Sequence, residues 1–280
     1  MKTYKILDWK KVREKDLKSI KKWKEFEAGV PNRLIRQQLA IRESIKLPKV
    51  KSNESVLVFA GSTGEISSKI KGPKVIHTDV DAKRVKLAGK RYRKSYYGLA
   101  VADALNLPTK KVDWLFSFEP SPILNRAYFI PRAILSSKKG FIISRRAGFF
   151  TFRNLKRLAE MYGIKPKESF QRIRGADVFG GKRLGKMQEK KIGFIVFESN
   201  PRAKRLAKID NEIIEKLSNI PPSKRQEAVE RLRKELGISR KEMRESLERI
   251  SELVSLKVPG VSVKGLFPKH LELPHVEVKY

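Results

Sequence analysis

From Ser55 to Glu198 the chain alternates short apolar runs with amphipathic stretches. The runs Ser55–Ala60, Lys74–Thr78, Gly98–Ala102, Trp114–Phe118, Gly140–Ser144 and Gly193–Glu198 are short and mostly bounded by glycine, proline or charge, which predicts strands. Between them, Glu65–Ile70, Ala82–Arg93, Asn125–Ser136 and Arg153–Tyr162 carry apolar positions at helical spacing. Strand and helix in alternation, with short connections, predict an α/β fold built on a doubly wound, mainly parallel sheet. In such sheets ligands bind beyond the carboxyl ends of the strands.

The flanks read differently. Residues 1–50 read as helical, with Trp9, Val12, Leu17, Ile20, Trp23 and Phe26 in one run and Leu34, Ile35, Leu39, Ile41 and Ile45 in a second. Gly29-Val30-Pro31-Asn32 separates the two. After Pro201 three helical stripes follow: Leu206, Ile209, Ile213 and Leu217; Val229, Leu232 and Leu236; Met243, Leu247, Ile250 and Val254. The last stretch, with Pro259, Pro268 and Pro274, reads as extended and turn-rich. The expected organisation is a helical segment at 1–50, an α/β domain at 51–200 and a basic helical region with an extended tail at 201–280.

Charge changes the picture. The chain holds 64 Lys and Arg against 30 Asp and Glu, a formal net charge of +34. A fold so charged repels itself unless a polyanion is near, and phosphate backbones are the common polyanion. The excess is not a tail: residues 121–200 alone hold 18 Lys and Arg against 5 Asp and Glu. Nucleic acid is therefore the expected partner. There is no cysteine, which removes disulfides, thiolate metal sites and cysteine nucleophiles from consideration. The three histidines are scattered and suggest no metal cluster. No apolar run is long enough to span a bilayer, and residues 1–11 lack a signal-peptide core, so the expectation is a cytoplasmic protein without a membrane partner. The Lys-, Arg- and Glu-rich composition is that of a heat-adapted chain.

Four consecutive strand ends carry candidate chemistry. Val56-Leu57-Val58-Phe59 runs into Ala60-Gly61-Ser62-Thr63-Gly64, a loop of small residues that lets a ligand approach the backbone. Asp79 closes the second strand, where an acid can accept ribose hydroxyls, and Asp81 is placed to cap the following helix. Asp103 and Ala104 follow the third strand in Asp103-Ala104-Leu105-Asn106-Leu107-Pro108, where a carboxylate can accept an exocyclic amine. The fourth strand leads into Glu119-Pro120-Ser121-Pro122, a rigid loop.

In this order the residues resemble class I S-adenosylmethionine-dependent methyltransferases, over about residues 52–145, through VLVFAGSTGEIS, VIHTDVDAKRVKLA, ADALNLP and VDWLFSFEP. The resemblance implies a Rossmann-like sheet, S-adenosylmethionine as cofactor, and a cofactor site made by Ala60, Gly61, Ser62, Gly64, Asp79, Asp103 and Ala104. Asp79 matches the family's ribose-binding acid and Asp103 its adenine-contacting acid. The family's first motif has an acid in the strand and a G-x-G-x-G loop. Val58, Ala60, Ser62 and Gly64 occupy those positions here, so the last glycine alone is kept.

Methyl transfer needs positioning first, and a base only where the acceptor carries a proton. Glu119 is the candidate for that role, with a helix cap or an arginine partner as its plainer reading. Phe118 and Phe149 are placed to stack on a base or to pack. Two basic stretches are expected to hold nucleic acid. Arg145, Arg146, Phe149 and Arg153 interleave cations with aromatics after the fifth strand, and Arg172, Arg174, Lys182 and Arg183 lie in a glycine-rich loop between late strands. The leading expectation is an RNA methyltransferase acting on tRNA or rRNA. The alternatives are a non-catalytic RNA- or ribosome-binding protein on a decayed methyltransferase scaffold, and a DNA-binding regulator with a helix-turn-helix step near Leu236–Met243.

Overall fold

The structure, a computed structural model, describes residues 3–5, 45–72, 74–102, 111–118, 129–146, 152–176, 187–218, 220, 224–255 and 277–279. Its strands are β1 (Thr3–Lys5), β2 (Ser55–Val58), β3 (Lys74–Asp79), β4 (Gly98–Val101), β5 (Val112–Phe118), β6 (Ser137–Arg146), β7 (Lys167–Ala176), β8 (Met187–Glu198) and β9 (Glu277–Lys279). The helices are α1 (Ala82–Tyr92), α2 (Phe129–Ser136), α3 (Phe152–Met161), α4 (Pro201–Ser218), α5 (Arg225–Glu235) and α6 (Arg240–Ser255). Seven strands form one sheet in the order β4-β3-β2-β5-β6-β8-β7. From β4 to β6 the pairing is parallel, and β8 runs antiparallel to both of its neighbours. This is a doubly wound, Rossmann-like α/β sheet, with its order reversing at β2.

The central strands are apolar because both faces are covered. Leu57, Leu115, Phe141, Ile143, Ile195 and Phe197 face a core filled from α2, α3, α4, α5 and α6. Their alternate neighbours Val56, Val58, Phe116, Ile142, Ile192 and Phe194 face a second core that Ile45 and Ile66 help to close. The two-residue period of each strand thus divides one apolar run between two cores.

A buried ion pair fastens the C-terminal helices to the sheet. Arg249 of α6 donates through Nε and Nη2 to the two carboxylate oxygens of Asp210 on α4, at 2.9 and 2.8 Å. The Tyr162 hydroxyl, just beyond α3, donates to Asp210 Oδ2 at 2.7 Å, and the Ser246 hydroxyl to Oδ1. Burial and the neighbouring carboxylate hold the Tyr162 phenol well above its ordinary pKa, so it stays a donor.

Several expectations need correction. The predicted helix at Glu65–Ile70 is only a 3-10 turn at Ser67–Lys69. Serine hydroxyls that bond back to the chain compete with helix formation, and Ser67 and Ser68 both lie near such carbonyls, at Gly64 and Glu65. The first strand stops at Val58, leaving Phe59 and Ala60 in the loop. The glycine-rich stretch that holds Arg172 and Arg174, read as loop, is strand through Ala176. Thr3–Lys5, within the segment read as helical, is a strand paired antiparallel with Glu277–Lys279. Residues 6–44, where the N-terminal helices were expected, lie outside the described residues. No described helix is long and apolar enough to cross a membrane.

Candidate functional site

The loop after β2 lies at the carboxyl edge of the sheet, beside the point where strand order reverses. Three alternate residues in it have positive φ: Ala60 at 51°, Ser62 at 54° and Gly64 at 93°. A side chain in the left-handed region costs about 1–2 kcal/mol, so Ala60 and Ser62 are held there by their surroundings.

Asp79 supplies much of that hold. From the end of β3 its Oδ2 accepts the Ser62 N–H at 2.8 Å, and its Oδ1 accepts the Asp81 N–H at 2.9 Å. The side chain is buried, and the loop is clasped to the next strand through it. An ionised carboxylate has about four lone-pair sites, so two such bonds leave capacity for hydroxyl donors. Asp81 caps α1 as expected, accepting from the Lys83 N–H at 3.0 Å.

Beneath the loop sits His77, which sequence reading placed no further than in a strand. It is fully buried, with Nε2 3.2 Å from the Ser62 carbonyl and Nδ1 2.9 Å from Ser67 Oγ. A carbonyl only accepts, so Nε2 carries the proton and Nδ1 accepts from the serine. Burial pushes the imidazole below its ordinary 6.5, with the Ser62 carbonyl and the Glu65 charge opposing, which keeps it neutral. A Cβ at residue 61 would stand 2.4 Å from the His77 ring, so glycine is required there. The Tyr96 hydroxyl donates to the Gly64 carbonyl at 2.9 Å, and burial raises its pKa to about 12. Glu65, also buried, accepts from Thr63 and pairs with Arg91 at 3.3 Å. The one advance signal of this cradle was a histidine two residues before Asp79 in an otherwise apolar strand.

Ala60, Gly61, Ser62, Gly64 and Asp79 are therefore brought together. Asp103, Ala104, Glu119, Phe149, Lys182 and Arg183 lie outside the described residues. Arg145 and Arg146 end β6, Arg153 lies in the first turn of α3, and Arg174 is in β7. Arg172, also in β7, is exposed. Phe118 is half-buried, with its ring 6.3 Å from that of Phe194, so it packs against the second core.

No family model and no curated protein matches the chain. Solved structures do. A provisionally assigned RNA methyltransferase from Pyrococcus horikoshii is 14% identical, with 52% of this chain and 74% of that one covered at a TM-score of 0.43. A TehB-like SAM-dependent methyltransferase from Corynebacterium glutamicum is 16% identical, covering 65% and 96% at 0.38. The magnesium protoporphyrin IX methyltransferase of Synechocystis, solved with SAM bound, is 15% identical, covering 63% and 90% at 0.41.

Proposed function

We propose that this chain is an S-adenosylmethionine-dependent methyltransferase acting on RNA, with tRNA or rRNA as the substrate class. One observation carries the reading. At the reversal point of a doubly wound sheet, a loop of small residues is turned by alternate positive φ angles and clasped by the aspartate of the neighbouring strand. That is where such sheets bind nucleoside ligands, and small side chains leave the backbone open to one.

The residues fit the cofactor at its nucleoside end. Ala60, Gly61, Ser62 and Gly64 would line its path, and Asp79 has lone pairs left for ribose hydroxyls. Asp103 and Ala104 would meet the purine edge on the strength of the motif resemblance. The cofactor supplies an electrophilic methyl on a sulfonium. The chain's own work is then to orient the acceptor in line with that methyl and to exclude water. Glu119 is the candidate to orient the acceptor or take its proton, and the basic residues from Arg145 onward are the candidates to hold the RNA. Net charge supports RNA as the polyanion.

A second reading has its own support. The connection from β2 to β3 contains only a 3-10 turn, and two of the three positive-φ positions carry side chains. A scaffold that no longer binds cofactor, and serves as an RNA- or ribosome-binding protein, accounts for both.

Incubation with methyl-labelled S-adenosylmethionine and RNA from a strain lacking the protein separates them. Label in a single modified nucleoside is the expected result. RNA retained by the protein with no label transferred selects the non-catalytic reading.

A further inference from the structure

β6 ends at Arg146, opposite Ile192 of β8. Beyond that row, β7 and β8 continue to pair with each other, from Arg172 with Lys191 to Ala176 with Met187. β6 is parallel to β5, so this two-stranded ribbon overhangs the carboxyl edge where the glycine loop lies. Five residues per strand give it a reach of about 17 Å. The stretch 172–191 holds seven Lys and Arg against two Asp and Glu.

The root of the ribbon is an aromatic beside bare backbone. In one row across the sheet, Arg145, Gly193 and Phe170 stand opposite one another. Directly paired residues share a face, and Glu168 pairs in register with Ile195, so Phe170 lies on the face packed by the helices. Lys156 of α3 reaches that face at Glu168, 2.7 Å away, and Arg153 sits one helical turn earlier in α3. One step further toward the carboxyl edge, Phe170 is 45% exposed. The other face is closed at this level, because the Gln171 side chain bonds both the N–H and the carbonyl of Lys46, at 2.9 and 2.8 Å. An exposed phenyl ring beside a glycine, with cations at the next positions on the same face, is the composition of a surface that stacks a base and tracks its backbone.

We infer that Phe170, Gly193 and Arg172 form a stacking platform for an unpaired nucleotide, and that the β7–β8 ribbon grips the flanking phosphates. The inference rests on the RNA reading and narrows it to a single-stranded or looped substrate held over the cofactor edge. A paired base has its faces covered by its neighbours in the helix and cannot lie on the ring, so duplex RNA gains only the phosphate contacts.

The test is fluorescence anisotropy with a short unpaired RNA and with the same sequence in a duplex, over a series of salt concentrations. Phe170→Ala is expected to weaken unpaired RNA at least about fivefold with an unchanged salt slope, to leave duplex binding as it was, and to be rescued by Phe170→Trp. Arg172→Ala is expected instead to lower the salt slope by about 0.7. Because Phe170 is half-exposed, thermal melts should show all three variants folded. Wild-type affinity for unpaired RNA in Phe170→Ala, or equal loss for both RNAs, overturns the platform while leaving the RNA reading in place. Failure of the wild-type protein to bind either RNA overturns the RNA reading itself.

Discussion

At the scale of single residues, the site is decided by where side chains are tolerated at positive φ. Gly64 has both a left-handed backbone and a neighbour: an added Cβ would stand 2.4 Å from the Tyr96 hydroxyl. Gly64→Ala should therefore cost at least about 1–2 kcal/mol, read as a lower urea midpoint at constant slope. Ala60→Gly is the informative control. It relieves strain of similar size but adds about 0.5–1 kcal/mol of chain entropy to be lost on folding, so its midpoint should move little. Equal loss in both variants would mean that the loop does not adopt these angles in solution. The same strain explains why Asp79 matters structurally: its carboxylate takes the Ser62 N–H that the turned backbone presents.

Among elements, the connection between α4 and α6 is the one that a single change should break. Asp210 and Arg249 are both buried and bonded twice to each other. Asp210→Asn leaves a guanidinium without its counter-charge, and breaking such a pair from one side costs about 3–5 kcal/mol. Pairing it with Arg249→Met should recover part of that loss in a double-mutant cycle. A loss below about 1 kcal/mol from Asp210→Asn alone would show the pair to be hydrated. Legibility from sequence also divides at this scale. The central strands and α4 to α6 were readable because burial on one face or two imposes a strong apolar period. Edge strand β7 was not, since Glu168, Gln171, Arg172 and Arg174 dilute its pattern to Phe170 and Ile173. The helix expected at Glu65–Ile70 failed for another reason: its polar side chains are spent on Gly64, Thr63, His77 and Arg91, contacts that local spacing does not reveal. Asp79 was legible as a strand-end acid; its grip on the Ser62 N–H was not, because the two residues meet only once β2 and β3 pair.

For the molecule as a whole, the geometry combines a nucleoside-sized approach at the reversal point of the sheet with a basic ribbon overhanging the same edge. Charge and sheet topology then point the same way: polyanion outside, nucleoside within. The overhanging ribbon also puts the RNA contacts and the glycine loop on one side of the sheet, as transfer between two bound molecules requires. The most direct measurement is isothermal titration of S-adenosylhomocysteine into the wild-type protein and into Asp79→Asn, with both proteins checked for folding. The account predicts one saturable site in the wild type and binding at least about tenfold weaker in the variant, since ribose hydroxyls would lose an ionised acceptor. No heat from the folded wild type, or identical affinity in both, would contradict it.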